Sequence, residues 1–94
     1  MLNLDDVLAR VPEAVSRDSE GELVVVLPEK GKFIVLNGTG AQVFLAIDGE
    51  RTLGQVATDL SDRYDVPLER VESDVLALAE KLIDREVVCR PQVS

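Results

Sequence analysis

Hydrophobic and polar positions change rhythm once along the chain: before Asn37 the apolar residues come in short β-branched blocks, and after it they recur at helical spacing. Strands are therefore expected first and helices second. The run Leu23-Val24-Val25-Val26-Leu27 predicts a strand, because β-branched side chains fit a pleated, half-buried surface. Pro28-Glu29-Lys30-Gly31 follows, in which Pro presets φ and Gly accepts a positive φ, so Lys32 to Leu36 is expected to fold back antiparallel. Ala14 to Arg17 reads as a further short strand, joined through the polar reversal Asp18-Ser19-Glu20-Gly21, which makes a three-stranded meander. Ahead of it, residues 4–9 are expected to form a short helical turn with Asn3 as N-cap, ended by Pro12.

A strand with one wet face usually alternates apolar and polar residues, but both runs of the hairpin are continuously apolar. Both faces, or one face and one edge, are expected to meet something dry. Helices can cover only one face, which leaves the other to the N-terminal segment, a second subunit or a functional contact.

Three helices are expected after Asn37. Thr39-Gly40-Ala41-Gln42 and Thr52-Leu53-Gly54-Gln55 both fit the capping box, in which the Thr oxygen accepts the N3 amide and the Gln side chain returns to the Thr amide. The first helix carries Val43, Phe44 and Ile47 and ends at Asp48-Gly49; the second carries Leu53, Val56, Ala57, Leu60 and Tyr64. The third begins near Pro67 and runs to about Arg85, with a main apolar stripe of Leu68, Val71, Val75, Leu78 and Leu82. A second stripe, Leu76, Ala79 and Ile83 with Glu72 above it, lies roughly 100 degrees round the same helix and also needs cover. The segment Val87-Val88-Cys89 is one candidate to supply it.

Composition narrows the chemistry. The 94 residues suit one domain over 1–94, with its core at about 14–88 and flanking segments at 1–12 and 89–94. With no His, the usual general base near neutral pH and the commonest zinc ligand are missing. Cys89 stands alone, so no internal disulfide or thiolate metal site is expected, and a reducing, cytoplasmic setting fits best. The apolar runs are too short to span a bilayer and MLNLDD is acidic where a signal peptide is basic, so the chain reads as soluble, unprocessed and away from the membrane. The carboxylate pairs Asp5-Asp6 and Asp62 with Asp65 have no pocket marked around them and read as solvated charge. The turn NGTG lacks the rest of any phosphate-binding fingerprint. No catalytic residue, metal ligand or cofactor is expected.

Charge weighs against nucleic acid. The chain carries 18 acidic and 10 basic side chains, a net −8. From Asp59 to Glu86 nine acids face four bases, so the segment that resembles helix-turn-helix DNA recognition has a net charge of −5 and would repel phosphates.

The segment Phe33-Ile-Val-Leu-Asn-Gly-Thr-Gly-Ala41, then Ile47-Asp-Gly-Glu-Arg-Thr-Leu53, Tyr64-Asp-Val and Asp74-Val75, resembles the PqqD family, the prototype of the elements that recognise precursor peptides in the biosynthesis of ribosomally made, modified peptides. The resemblance runs from about Val15 to Val88, and departs from the family at Glu86, where Gly is common before the closing apolar pair. It implies an α+β, winged-helix-like fold: a three-stranded antiparallel β-sheet packed on three α-helices, without enzymatic activity. It also implies that the leader of a precursor peptide is held as an added strand and presented to a modifying enzyme, often a radical S-adenosylmethionine protein, in quinone cofactor assembly or another peptide pathway. Mapped onto this chain, the receiving strand is Lys32, Phe33, Ile34, Val35 and Leu36, and the wall beside it is the third helix, with Glu72, Leu76, Ala79 and Ile83 as expected contacts. Acidic residues around the cleft, Glu72 among them, are expected to favour a leader with Lys or Arg. Two alternatives come from other classes: a homodimerisation domain using the same strand edge, and a winged-helix DNA-binding regulator.

Overall fold

The computed structural model describes residues 2–91. A three-stranded antiparallel meander is formed by β2 (Val15–Ser19), β3 (Glu22–Leu27) and β4 (Lys32–Asn37), in the order β2-β3-β4, with three helices following as α1 (Thr39–Ala46), α2 (Leu53–Tyr64) and α3 (Leu68–Asp84). Two short strands, β1 (Ala9–Arg10) and β5 (Val88–Cys89), pair antiparallel as a separate small sheet. The α+β architecture is thus the one expected, with the first and last strands added. No helix among the described residues is long and apolar enough to cross a membrane.

The turns explain the register. Glu20 and Gly21 both have positive φ (48° and 84°), the combination that a two-residue type I′ turn requires, and they close the pair Ser19↔Glu22. In such a hairpin the closing pair exchanges both ladder bonds, so the peptide groups of Glu22, Val24 and Val26 point toward β2. Those of Leu23, Val25 and Leu27 then point toward β4, opposite Leu36, Ile34 and Lys32.

The inner face of the sheet, with Leu23, Val25, Leu27 and Leu36, packs on the buried faces of the helices: Val43 and Phe44 of α1, Leu53, Val56, Ala57 and Leu60 of α2, and Val71, Val75, Ala79 and Leu82 of α3. The outer face is different. Val15, Phe33 and Val35 are 54%, 56% and 45% exposed and no described element lies over them, so of the covers expected for that face the N-terminal segment is not the one. The N-terminal segment goes elsewhere. The Leu4 and Asp6 carbonyls accept from the Gly54 and Leu53 amides at the start of α2, the Leu8 carbonyl accepts from Gly49, and Leu8 itself is buried in the core.

Residues 4–9 therefore do not make the expected helical turn. Asn3 Oδ1 accepts the Asp5 amide and the Asp6 carboxylate accepts the Asn3 amide, a local asparagine-type turn. The chain then extends through the bridge Val7↔Thr52 into β1, because pairing with α2 and β5 satisfies more backbone than one isolated turn. Segment 2–11 is thus tied into the core rather than flanking it; of the other expected flank, residues 92–94 lie outside the described residues.

The two expected capping boxes also part ways. At α2 both bonds form: Thr52 Oγ1 accepts the Gln55 amide at 3.1 Å and Gln55 Oε1 accepts the Thr52 amide at 2.8 Å. At α1 the N-cap is Gly38, whose φ of 52° turns the chain out of β4, and Thr39 is already helical, so its hydroxyl is not at the capping position. Gln42 instead accepts from Arg63 at 3.4 Å.

Candidate functional site: a strand edge facing the third helix

Because β4 is the last strand of its sheet, the register leaves the peptide groups of Phe33, Val35 and Asn37 facing out of the free edge. An independent contact agrees: Arg85 Nη1 donates to the Phe33 carbonyl at 3.4 Å, across the edge from α3. A row of unpaired donors and acceptors on an edge strand is a template for another extended chain.

Beside this edge lies a hollow of about 300 Å³ between β4, the start of α1 and α3, lined by Val35, Leu36, Asn37, Val43, Asp74 and Leu78, with Thr39 and Gly40. Its floor depends on a glycine. A Cβ built at Gly40 would stand 3.6 Å from both Leu36 Cδ2 and Leu78 Cδ2, so the missing side chain keeps the space between strand and helix open. Leu78 forms the apolar wall, and Asp74, one turn earlier, adds a carboxylate to it.

All five expected strand residues, Lys32, Phe33, Ile34, Val35 and Leu36, lie in β4, but they serve different faces. Leu36 is buried against the helices, whereas Phe33 and Val35 expose their side chains on the outer face and their backbone on the free edge. The expected helix residues are not brought to this edge. On a helix of 100 degrees per residue, Glu72, Leu76, Ala79 and Ile83 lie roughly 100 to 160 degrees round from Leu78. Glu72 lines a hollow with Leu4, Asp5 and the start of α2, Ala79 is wholly buried in the core, and Leu76 is partly buried against it. Ile83 lines a larger hollow of about 550 Å³ with Val11, Leu27 and Val88, so the chain end and the N-terminal segment take up part of that stripe. That hollow is larger than the one at β4; the hollow at β4 is the one set between a free strand edge and α3, while β2, the other edge of the meander, touches hollows through Ser16 and Asp18 that α3 does not line.

The missed wall residues are Asp74 and Leu78, and a signal for them was available. Leu78 sits at the margin of the main stripe rather than its centre, half-buried where Val75 and Leu82 are wholly buried, and Asp74, Lys81 and Arg85 share its face at i−4, i+3 and i+7. The charge expectation changes with this placement: Lys81 and Arg85 put cations on the groove side of α3, while Glu72 is elsewhere.

The groove's Arg85 end is fixed by Glu86. Its carboxylate is 2.7 Å from Lys32 Nζ and 3.3 Å from Lys30 Nζ, and the Lys32 hydrogen bond, then that of Lys30, holds its pKa below the ordinary 4.5. Asp48 is lowered from 3.8 by the amides of Arg51 and Glu50, which donate to it in the turn before α2.

A small α+β domain whose free strand edge faces a helix across a partly apolar hollow has the geometry that strand addition uses. Among such domains, the chain belongs to the PqqD family: the model of the family described as Coenzyme PQQ synthesis protein D matches residues 22–88. The PqqA binding protein of Rhizobium meliloti (strain 1021) is 28% identical over 68 residues, 72% of this chain and 67% of that protein. That of Gluconobacter oxydans (strain 621H) is 31% identical over 65 residues, 69% of this chain and 66% of the relative. These alignments span about two thirds of the relatives' length. The fold is shared with TbiB1, solved in complex with the TbiA(beta) leader peptide, at a TM-score of 0.77 and 16% identity over 90% of this chain and 99% of that one. It is shared too with a lasso peptide synthetase B1 complexed with the leader peptide, at a TM-score of 0.76 and 22% identity over 87% of this chain and 96% of that one.

Proposed function

We propose that this chain is a peptide-binding module without catalytic chemistry of its own, which captures the leader of a ribosomally made precursor as an added strand on β4 and presents it to a modifying enzyme. The observation that carries the reading is the outward-facing backbone of Phe33, Val35 and Asn37 beside the hollow walled by Leu78. Backbone pairing gives affinity with little demand on sequence, and the hollow selects the side chains that face α3. Ordering an unfolded leader costs roughly 2 to 5 kcal/mol, so binding is moderate and reversible, as a relay requires. The relatives named PqqA binding proteins make a PqqA-type precursor the first peptide to try, and the family resemblance makes a radical S-adenosylmethionine protein the first enzyme partner to try.

The test is a titration of the 15N-labelled protein with a synthetic PqqA peptide. Shifts concentrated at residues 32–37, Asp74 and Leu78 support the reading; binding that leaves all of these unmoved contradicts it. Val35→Pro removes one outward amide without breaking the β3–β4 ladder, and is expected to weaken binding while the fold persists.

The exposed outer face of the sheet, with Val15, Phe33 and Val35, favours a second reading in which two copies associate there. Sedimentation at several concentrations, with and without peptide, separates it from the first.

A further inference from the structure

Resting on the proposed capture of a strand at β4, we infer that the groove reads the order of charges along its peptide: a basic side chain, an apolar one two residues on, and an acidic one two residues after that, from N- to C-terminus.

Asp74, Leu78, Lys81 and Arg85 follow one another at i, i+4, i+7 and i+11 on a single face, so the groove wall passes from a carboxylate through an apolar side chain to two cations. None of the three charged residues has an ion-pair partner among the described residues, and neither have Arg10, Arg17 and Arg70, whereas Lys30, Lys32, Arg51, Arg63 and Arg90 all do. In a chain of net charge −8, two unpaired cations four residues apart on one helix face repel each other, and a carboxylate brought between them would relieve that.

The spacing fits a strand. Asp74 to Leu78 is a rise of roughly 6 Å, and Leu78 to the midpoint of Lys81 and Arg85 roughly 7 to 8 Å. Two residues of an extended peptide cover roughly 7 Å, and only every second side chain faces the helix. Three consecutive helix-facing positions of one strand therefore meet Asp74, the Leu78 hollow and the Lys81–Arg85 pair in turn.

Direction follows from β4. Arg85 reaches Phe33, and Asp74 lines the hollow with Val35 and Asn37, so β4 runs from the cationic end to the acidic end. Antiparallel pairing, the slightly more stable arrangement, makes the peptide run the other way, with its basic residue first and its acidic residue last. Arg85 already donates to the Phe33 carbonyl, so it also marks where the added strand stops.

The experiment selects from a displayed library of random dodecapeptides on the wild-type protein and on a Lys81→Glu/Arg85→Glu variant, both checked for native 15N spectra. Enriched peptides are then titrated and their shifts mapped. The expected result is enrichment of the basic, apolar, acidic order on wild type, replacement of the acidic residue by Lys or Arg on the variant, and affinity losses of about two- to fivefold for each charge reversed, shrinking as salt rises. Peptides that shift Val35 and Asn37 but show no charge order, or the same order on both proteins, overturn this inference and leave the strand-capture reading standing. Enriched peptides that shift other residues, or no enrichment at all, overturn the strand-capture reading and this inference with it.

Discussion

Lys32, the first residue of β4, places its ammonium 2.7 Å from the carboxylate of Glu86, just past the end of α3, and so ties the edge strand to the helix that faces it. Glu86 holds a φ of 62°, the left-handed conformation in which a helix commonly ends and which glycine adopts without steric cost. It stands where the family resemblance leads one to expect Gly, and its two lysine partners offset part of the strain. Because exposed ion pairs contribute little, Glu86→Gly is expected to raise the thermal midpoint and Glu86→Ala, which keeps the strain and loses both pairs, to lower it. Thermal unfolding of the two variants measures this; a fall for Glu86→Gly as large as that for Glu86→Ala contradicts it.

The same carboxylate predicts a pH dependence. Glu86 and Asp48 are both held below their ordinary values of 4.5 and 3.8, so folding favours their ionised forms. Their stabilisation is complete above those ordinary values and is lost as pH falls through the lowered ones. Urea midpoints are expected to drop between about pH 5 and pH 3, and to drop less steeply in the Glu86→Gln and Asp48→Asn variants, which cannot titrate.

Helix starts offer a sharper comparison. Thr52→Ala removes a formed capping box and is expected to cost about 1 kcal/mol, whereas Thr39→Ala, inside a helix already capped by Gly38, is expected to be near neutral. Chemical denaturation of the two variants distinguishes them; equal losses count against the assignment.

Gly40 separates stability from binding. Ala at this position meets Leu36 and Leu78 at ordinary contact distance and is expected to hold or raise stability by up to about 1 kcal/mol. Gly40→Leu would fill the space between strand and helix, and is expected to leave the domain folded while weakening peptide binding in calorimetric titration.

The sequence carried the meander, with Lys32 to Leu36 as its last strand, and the three helices because β-branched runs and helical periodicity are local signals. It did not carry the groove wall. Leu76 and Ile83 look surplus on a helical wheel, but the segment through Leu8 and the β1–β5 pair close around that part of the core, a non-local contact no periodicity encodes. Leu78 was legible as an apolar residue, though not as the one left half-exposed, since that depends on Gly40 standing opposite it. Thr39 missed its capping role for a similar reason: the positive φ of Gly38 moved the helix start by one residue.

Capture on β4 requires that this strand accept a peptide backbone on its outward side. Amide hydrogen exchange resolved by residue, with and without a saturating synthetic PqqA peptide, tests it most directly. Slowed exchange is expected at Val35 and Asn37, the outward amides beyond the Arg85 contact with Phe33, with little change at Ile34 and Leu36, which already pair with β3. Peptide binding that leaves the Val35 and Asn37 amides exchanging at their free rate would contradict it.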